Sequence, residues 1–237
     1  MTTRLAKHRH SVDGGYARGE ETRARIIGAA MELFGERGYE GASTRDIAAS
    51  AGVNAPALQY YFDNKEGVYL ACAEHIVSRV WEHMSEVVER AERTLADDAD
   101  DDALIEVFCE LQAKIADMMF AAQRNDNSWR LFMAREQAGL GPAAGFQIVN
   151  QRVNGRLYAV TSAIVGRLLG RPPGDEETLI RTMALSGQQM YFHLMRRSAL
   201  SKLNWDDINA DRAALLKRVI GEQTAAFLRS MAATRKD

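Results

Sequence analysis

The sequence predicts an all-α protein, with a small N-terminal three-helix domain followed by a larger helical domain, and three observations predict it. Apolar residues recur at helical spacing from Glu20 almost to the last residue, and no segment sustains the period-two alternation of a half-buried strand. Clusters of Gly and Pro cut the rest into helix-sized pieces. With 237 residues, 46% hydrophobic and 26% charged, the chain can bury a sizeable core without disulfides. That composition excludes disordered, collagen-like and cystine-stapled chains.

Residues 1 to 18 carry Arg4, Lys7 and Arg9 with few apolar groups and are expected to form a mobile arm. The first helix starts near Glu20, buries Ile26, Ile27, Ala30, Leu33 and Phe34, and stops before Gly38. Ser43 with Asp46 has the capping-box spacing, so a short second helix starts at Thr44 and runs to about Ala51. Gly52 supplies a turn. Asn54 caps a third helix with Pro56 in its first turn, where the missing N–H costs nothing, and this helix reaches Phe62. Asp63 with Glu66 opens a long fourth helix, about 65 to 95, which ends in the acidic run Asp97, Asp98, Asp100, Asp101 and Asp102. That run reads as a solvated loop offering negative charge to the next helix N-terminus. Further helices are predicted over 103–123, 127–138, 144–169, 175–200 and 209–233.

Three helices of about 17, 8 and 8 residues, with Gly52 at the second junction, have the proportions of a helix-turn-helix reader. In the third helix Leu58 and Phe62 fall at i and i+4 and face inward. Ala55, Gln59 and Tyr60 take the outward arc, with Pro56 and Tyr61 at its margins. A plain bundle helix accounts for the inward pair equally well, but an exposed aromatic beside an amide that can read base edges is an odd choice for a solvated face.

The stretch from Thr44 to Tyr69 resembles the DNA-binding signature of the TetR family of one-component repressors, and the spacing from Ala30, Phe34, Gly38 and Tyr39 to Lys65 and Glu66 matches as well. Further on, Arg135-Glu-Gln, Pro142, Phe146, the run from Gly187 to Leu200, and Leu203 with Trp205 are similar to the ligand-sensing domain of the CecR-like subgroup. The resemblance implies an N-terminal arm over 1–18, a DNA-binding domain over 19–65 and a ligand-binding and dimerisation domain over 66–237. Thr44, Arg45 and Lys65 match positions that hold phosphates, and the chemistry agrees, because a helix N-terminus offers free N–H groups and Lys65 adds a point charge. Asn54, Ala55, Pro56, Gln59, Tyr60 and Tyr61 occupy reader positions. Gln59 can bond adenine, Ala55 and Pro56 can meet a thymine methyl, and the tyrosine hydroxyls can reach phosphate. Many members of the family carry Tyr where this chain has Gln59, which implies a different operator.

The expected assembly is a homodimer on a palindromic operator, since two readers spaced near one DNA turn of about 34 Å read what one cannot. Its interface is assigned to the last two long helices through Gly187, Met190, Leu216, Val219, Ile220, Gln223 and Phe227. A small-molecule effector is expected among Met119, Trp129, Met133, Phe146, Gln147, Asn150 and His193, because Met-rich, aromatic-lined surfaces suit varied apolar ligands. The overall reading is a ligand-responsive regulator that acts as a repressor.

Other chemistries fit poorly. Gly139, Gly141 and Gly145 resemble a dinucleotide loop only superficially, since no strand precedes them. Cys72 and His75 share a helix face without a third ligand, and Ser186 with His193 lacks an orienting acid, so no metal, cofactor or enzymatic activity is expected. A scaffolding bundle that never touches DNA is the competing class. No apolar run approaches the roughly 18 to 20 residues of a membrane span and no secretion signal is evident, so a soluble, cytoplasmic protein is expected. The net charge of −2 argues against DNA binding only when taken whole. Residues 1–65 hold nine Lys and Arg against eight Asp and Glu, and the remainder holds 21 against 24.

Overall fold

The computed structural model describes residues 12–120 and 127–235. Among these residues eleven α-helices run in order α1 (Val12–Gly41), α2 (Thr44–Ser50), α3 (Ala55–Phe62), α4 (Lys65–Ala96), α5 (Asp101–Phe120), α6 (Asn127–Gln137), α7 (Ala143–Val149), α8 (Gly155–Leu169), α9 (Glu176–Leu194), α10 (Arg196–Leu203) and α11 (Ala210–Thr234), with a π-helical turn over Asn150–Asn154. Among the described residues there is no strand.

The short helices form where their caps dictate. Ser43 Oγ accepts from the Asp46 N–H at 3.1 Å and donates to its carboxylate at 2.8 Å, and Asn54 Oδ1 accepts from the Ala57 N–H at 2.8 Å. Gly52, at φ 66°, makes the turn between them. Other boundaries differ from expectation. Helix α1 begins at Val12, so residues 12–18 belong to a helix rather than to an arm, while residues 1–11 with Arg4, Lys7 and Arg9 lie outside the described residues. Asn64, not Asp63, caps α4, accepting from the Gly67 N–H at 2.8 Å. The segment predicted as one helix over 144–169 is α7 and α8 joined by the π turn, and that over 175–200 breaks at Met195. Both breaks leave the apolar spacing intact, which is why periodicity missed them.

Helix α4 is the axis of the molecule. Val68, Tyr69 and Cys72 at its start pack with Ile26, Phe34, Leu58 and Phe62 of the small N-terminal domain, and Met84, Val87 and Ala91 continue the same apolar cluster among Leu104, Phe108 and Ile164. One hydrophobic core therefore spans both parts of the chain. The acidic run after α4 is more than a solvated loop. Asp98 pairs with Arg167 of α8, Asp101 accepts from Arg235 at 2.9 Å, and Arg167 Nη1 also donates to the carbonyl of Leu95 at 3.2 Å. These pairs tie the ends of α4, α8 and α11.

Candidate functional site

The outer face of α3 and the two helix ends beside it form one surface. Leu58 and Phe62 anchor α3 in the core, and Ala55, Pro56, Gln59 and Tyr60 are exposed, Tyr60 at 84%. Tyr61 is half-buried, edge-on to Tyr60 at 5.3 Å, and packs against the core. Asn54 is exposed, but its oxygen is engaged as the helix cap, which leaves its amide N–H groups for a partner. Arg45 is exposed and Thr44 half-buried at the start of α2. Lys65, at the start of α4, holds its ammonium 4.4 Å over the Tyr39 ring and 3.5 Å from the Glu40 carbonyl. The surface thus offers two helix N-termini, each carrying a cation, on either side of a protruding helix. Such an arrangement has the chemistry to hold phosphates at the helix ends and to present α3 to base edges. The Arg23 guanidinium lies 5.4 Å over the Phe62 ring at the end of α3.

In the second part of the chain α4, α5, α6, α7, α8, α9 and the π turn line a cavity of about 220 Å³. Met119, Trp129, Met133 and His193 line it. Phe146, Gln147 and Asn150 do not. Helix α7 turns Gly145 and Val149 inward, which sends those three side chains to the exposed side. Polar lining comes instead from residues the sequence did not single out, Gln112, Asn154, Thr161 and Gln189 among them. Gln112 sits beside Leu111 and Phe108 on α5, and Gln189 precedes His193 by one turn of α9. Spacing could have found them, had polar groups been sought at apolar positions. His193 is buried, and burial, with Arg130 and Arg196 nearby, pushes its pKa down to about 4 against the opposing pull of the Met119 carbonyl.

Three consecutive residues at the end of α6 connect this cavity to the reader. Gln137 lines the cavity. Glu136 is buried and accepts the phenolic hydrogen of Tyr69 on α4. Arg135 donates to the carbonyls of Gly35 at 2.8 Å and Glu36 at 2.9 Å. Those carbonyls are free because α1 breaks at Gly38, φ 76° and ψ 173°, and a cation is favoured at such a helix end. Gly35 lets α6 approach, since a Cβ there would lie 3.0 Å from the Ser128 carbonyl oxygen.

The residues assigned to a dimer interface divide. Gly187, Val219, Gln223 and Phe227 are exposed on α9 and α11, joined by Ile180, Met183 and Leu215. Leu216 and Ile220 are only 6% and 5% exposed, turned into the chain's own core, and Met190 lines the cavity. Helix α11 carries apolar residues on two faces, and spacing merged them.

Residues 104–231 match the family model for the C-terminal domain of the HTH-type transcriptional dual regulator CecR, and residues 26–72 match that for bacterial regulatory proteins of the tetR family. The HTH-type transcriptional dual regulator CecR of Shigella flexneri is 32% identical over 205 residues, 86% of this chain and 89% of that protein. The chain belongs to the TetR family of transcriptional regulators, in its CecR group. It is a DNA-binding helix-turn-helix regulator and not an enzyme. Solved structures share the fold at low identity. AibR in complex with isovaleryl coenzyme A and operator DNA has a TM-score of 0.58 at 16% identity, covering 87% of this chain and 97% of that one. FadR of Bacillus subtilis in complex with stearoyl-CoA has a TM-score of 0.55 at 17% identity, covering 86% and 97%. Among the described residues no helix of this TetR-family regulator is long and apolar enough to cross a membrane, and no group of three or more His, Cys, Asp or Glu could hold a metal ion.

Proposed function

We propose that this regulator binds a palindromic operator as a cytoplasmic homodimer, represses transcription there, and is released when a small molecule occupies the cavity. Residues 19–65 form the DNA-binding domain and residues 66–237 the ligand-binding and dimerisation domain. The observation that carries the reading is the exposed α3 face, with Gln59 and Tyr60 protruding between the N-termini of α2 and α4. Thr44, Arg45 and Lys65 hold phosphates, Gln59 reads a base, and Tyr60 reaches the backbone from the far edge of the helix. The half-buried Tyr61 chiefly braces Tyr60. The exposed apolar face of α9 and α11, with open space above Gly187, supports pairing of two copies about a two-fold axis.

Release follows from the connection between cavity and reader. Ile76, Val80 and Met84 of α4 line the cavity, and Tyr69, two turns before Ile76, is held by Glu136. A ligand that pushes α4 and α6 apart acts on Glu136 and, through Arg135, on the end of α1. The two readers of a dimer then lose their spacing. A coupling of about 1–3 kcal/mol suffices to lower operator affinity 5- to 150-fold. The same contacts serve activation if the operator lies elsewhere in a promoter, as the name dual regulator implies for the Shigella flexneri relative. A second reading of the effector comes from FadR and AibR, whose ligands are acyl-CoA molecules. Here the cavity would take only the acyl chain.

Fluorescence anisotropy of a duplex with the purified protein, repeated over a salt series, tests the reading. Lys65→Ala removes one phosphate contact per subunit and so reduces the slope of log affinity against log salt by about 2, and Tyr60→Ala weakens binding strongly while light scattering still reports a dimer. Unchanged affinity in both variants contradicts it.

A further inference from the structure

We infer that the cavity takes an uncharged, mainly apolar molecule of about single-ring size that carries a hydrogen-bond donor, such as an alkylphenol, an inference that rests on the cavity being the effector site. Among its described lining residues there is no Lys, Arg, Asp or Glu. Met119, Met133, Trp129 and Phe108 make much of its wall, and soft sulfur and ring surfaces of this kind suit an aromatic ring. A charged ligand would lose its hydration there without a charged partner among the described lining residues. In size, about 220 Å³ exceeds the cavity of about 150 Å³ that admits benzene in another protein, which leaves room for a ring with a short substituent.

The requirement for a donor comes from Gln189, which is 3% exposed. Its Nε2 donates to the backbone carbonyl of Gln112 at 2.8 Å and to Gln112 Oε1 at 3.3 Å. Gln112 in turn donates to the Leu185 carbonyl at 3.1 Å and accepts from the Thr224 hydroxyl at 3.3 Å. Carbonyl acceptors thus determine which way both amides face, and Gln189 Oε1 is left without a hydrogen-bond partner among the described residues. It is a buried acceptor on a residue that lines the cavity, and a buried acceptor left unmet is costly.

His193 stands one turn further along the same face of α9 and offers a second acceptor. One of its ring nitrogens donates to the Met119 carbonyl. Burial and the nearby Arg130 and Arg196 keep the imidazole uncharged near neutral pH, so its other nitrogen is an acceptor too. Arg196 does not provide a free counter-charge, because it is paired with Asp207. Thr161 is likewise committed, its hydroxyl bonded to the Leu157 carbonyl at 2.7 Å. The wall formed by α9 therefore presents acceptors where a ligand brings its polar end.

Isothermal titration of the full chain with three molecules of matched shape tests the inference: para-propylphenol, propylbenzene and para-propylbenzoate. The phenol binds at least tenfold more tightly than either of the others, and Gln189→Leu, which keeps the volume and removes the acceptor, brings the phenol close to propylbenzene. If Gln189→Leu does not fold, the ranking of the three probes on the unaltered chain still decides. Tighter or equal binding of the benzoate, equal binding of phenol and propylbenzene, or no binding by any of the three overturns the inference. Operator affinity measured on the same samples separates the two levels. The predicted ranking without any change in operator affinity overturns the effector reading instead, and operator release by the benzoate alone overturns the ligand chemistry while supporting the effector reading.

Discussion

Tyr69 on α4 donates its hydroxyl hydrogen to the carboxylate of Glu136 on α6, and both residues are 2% exposed. The pair joins the helix that enters the reader to the helix that caps α1, across 67 positions of sequence. Burial raises the pKa of Glu136 against the opposing pull of that hydrogen bond, so the folded protein holds its proton more tightly than the unfolded chain does. This group's contribution therefore favours folding at low pH and declines as pH rises past the ordinary carboxylate range. Glu136→Gln keeps an acceptor for Tyr69 and loses that decline, so urea midpoints of variant and parent converge on acidification and the variant is the more stable at pH 7. Tyr69→Phe leaves a buried carboxylate without its donor and lowers stability by about 1–3 kcal/mol.

Gly141 and Gly145 are explained by the same pair. A Cβ on Gly141 would lie 2.7 Å from Glu136 Oε1 and closer still to the Tyr69 hydroxyl, and one on Gly145 would lie 2.8 Å from Tyr69 Cε1. Gly141→Ala lowers stability by about 1–3 kcal/mol through overpacking. In a double-mutant cycle the loss shrinks when Tyr69 is already Phe, because the clashing oxygen has gone. Equal losses in both backgrounds contradict this account of the glycines.

His193 sets an acid limit of its own. With a folded pKa lowered to about 4 against 6.5 for an unperturbed His, its contribution is present above pH 6.5 and is lost as pH falls toward 4. At pH 5 this group costs roughly 2 kcal/mol, from 1.36 kcal/mol per unit. The denaturation midpoint of the parent falls between pH 7 and pH 5, and that of His193→Gln falls less.

Under the proposed function Gln59 governs sequence preference and Lys65 does not. Gln59→Ala reduces discrimination at one base pair in each half-site by about 1–3 kcal/mol, whereas Lys65→Ala weakens binding to matched and mismatched duplexes alike. Anisotropy titrations on single-base operator variants distinguish the two.

Local chemistry was legible in the sequence wherever a residue acts on its neighbours. Ser43 with Asp46 and Asn54 with Pro56 bound α2 and α3 as their spacing predicts, and the inward pair Leu58 and Phe62 follows from the helical period. The surface proposed to face DNA is built almost wholly from such local signals. The cavity is not, because its described lining comes from six helices and the π turn. Met119, Trp129, Met133 and His193 reach it, whereas Phe146, Gln147 and Asn150 fail because α7 spends its inward face on the close approach to Tyr69. Leu216 and Val219 show the same limit on α11, since apolar spacing reports that a face is buried but not whether its own chain or a second copy buries it. The Tyr69 and Glu136 pair has no local signal at all. It exists because α1 packs against both α4 and α6.

Selection from random duplex DNA by the purified protein at moderate salt tests the central claim most directly, with Tyr60→Ala run in parallel. The account predicts an enriched inverted repeat whose half-sites are spaced near one turn of the duplex, with the enrichment lost in the variant. Absence of any enriched sequence from the parent protein, or equal enrichment by Tyr60→Ala, would contradict it.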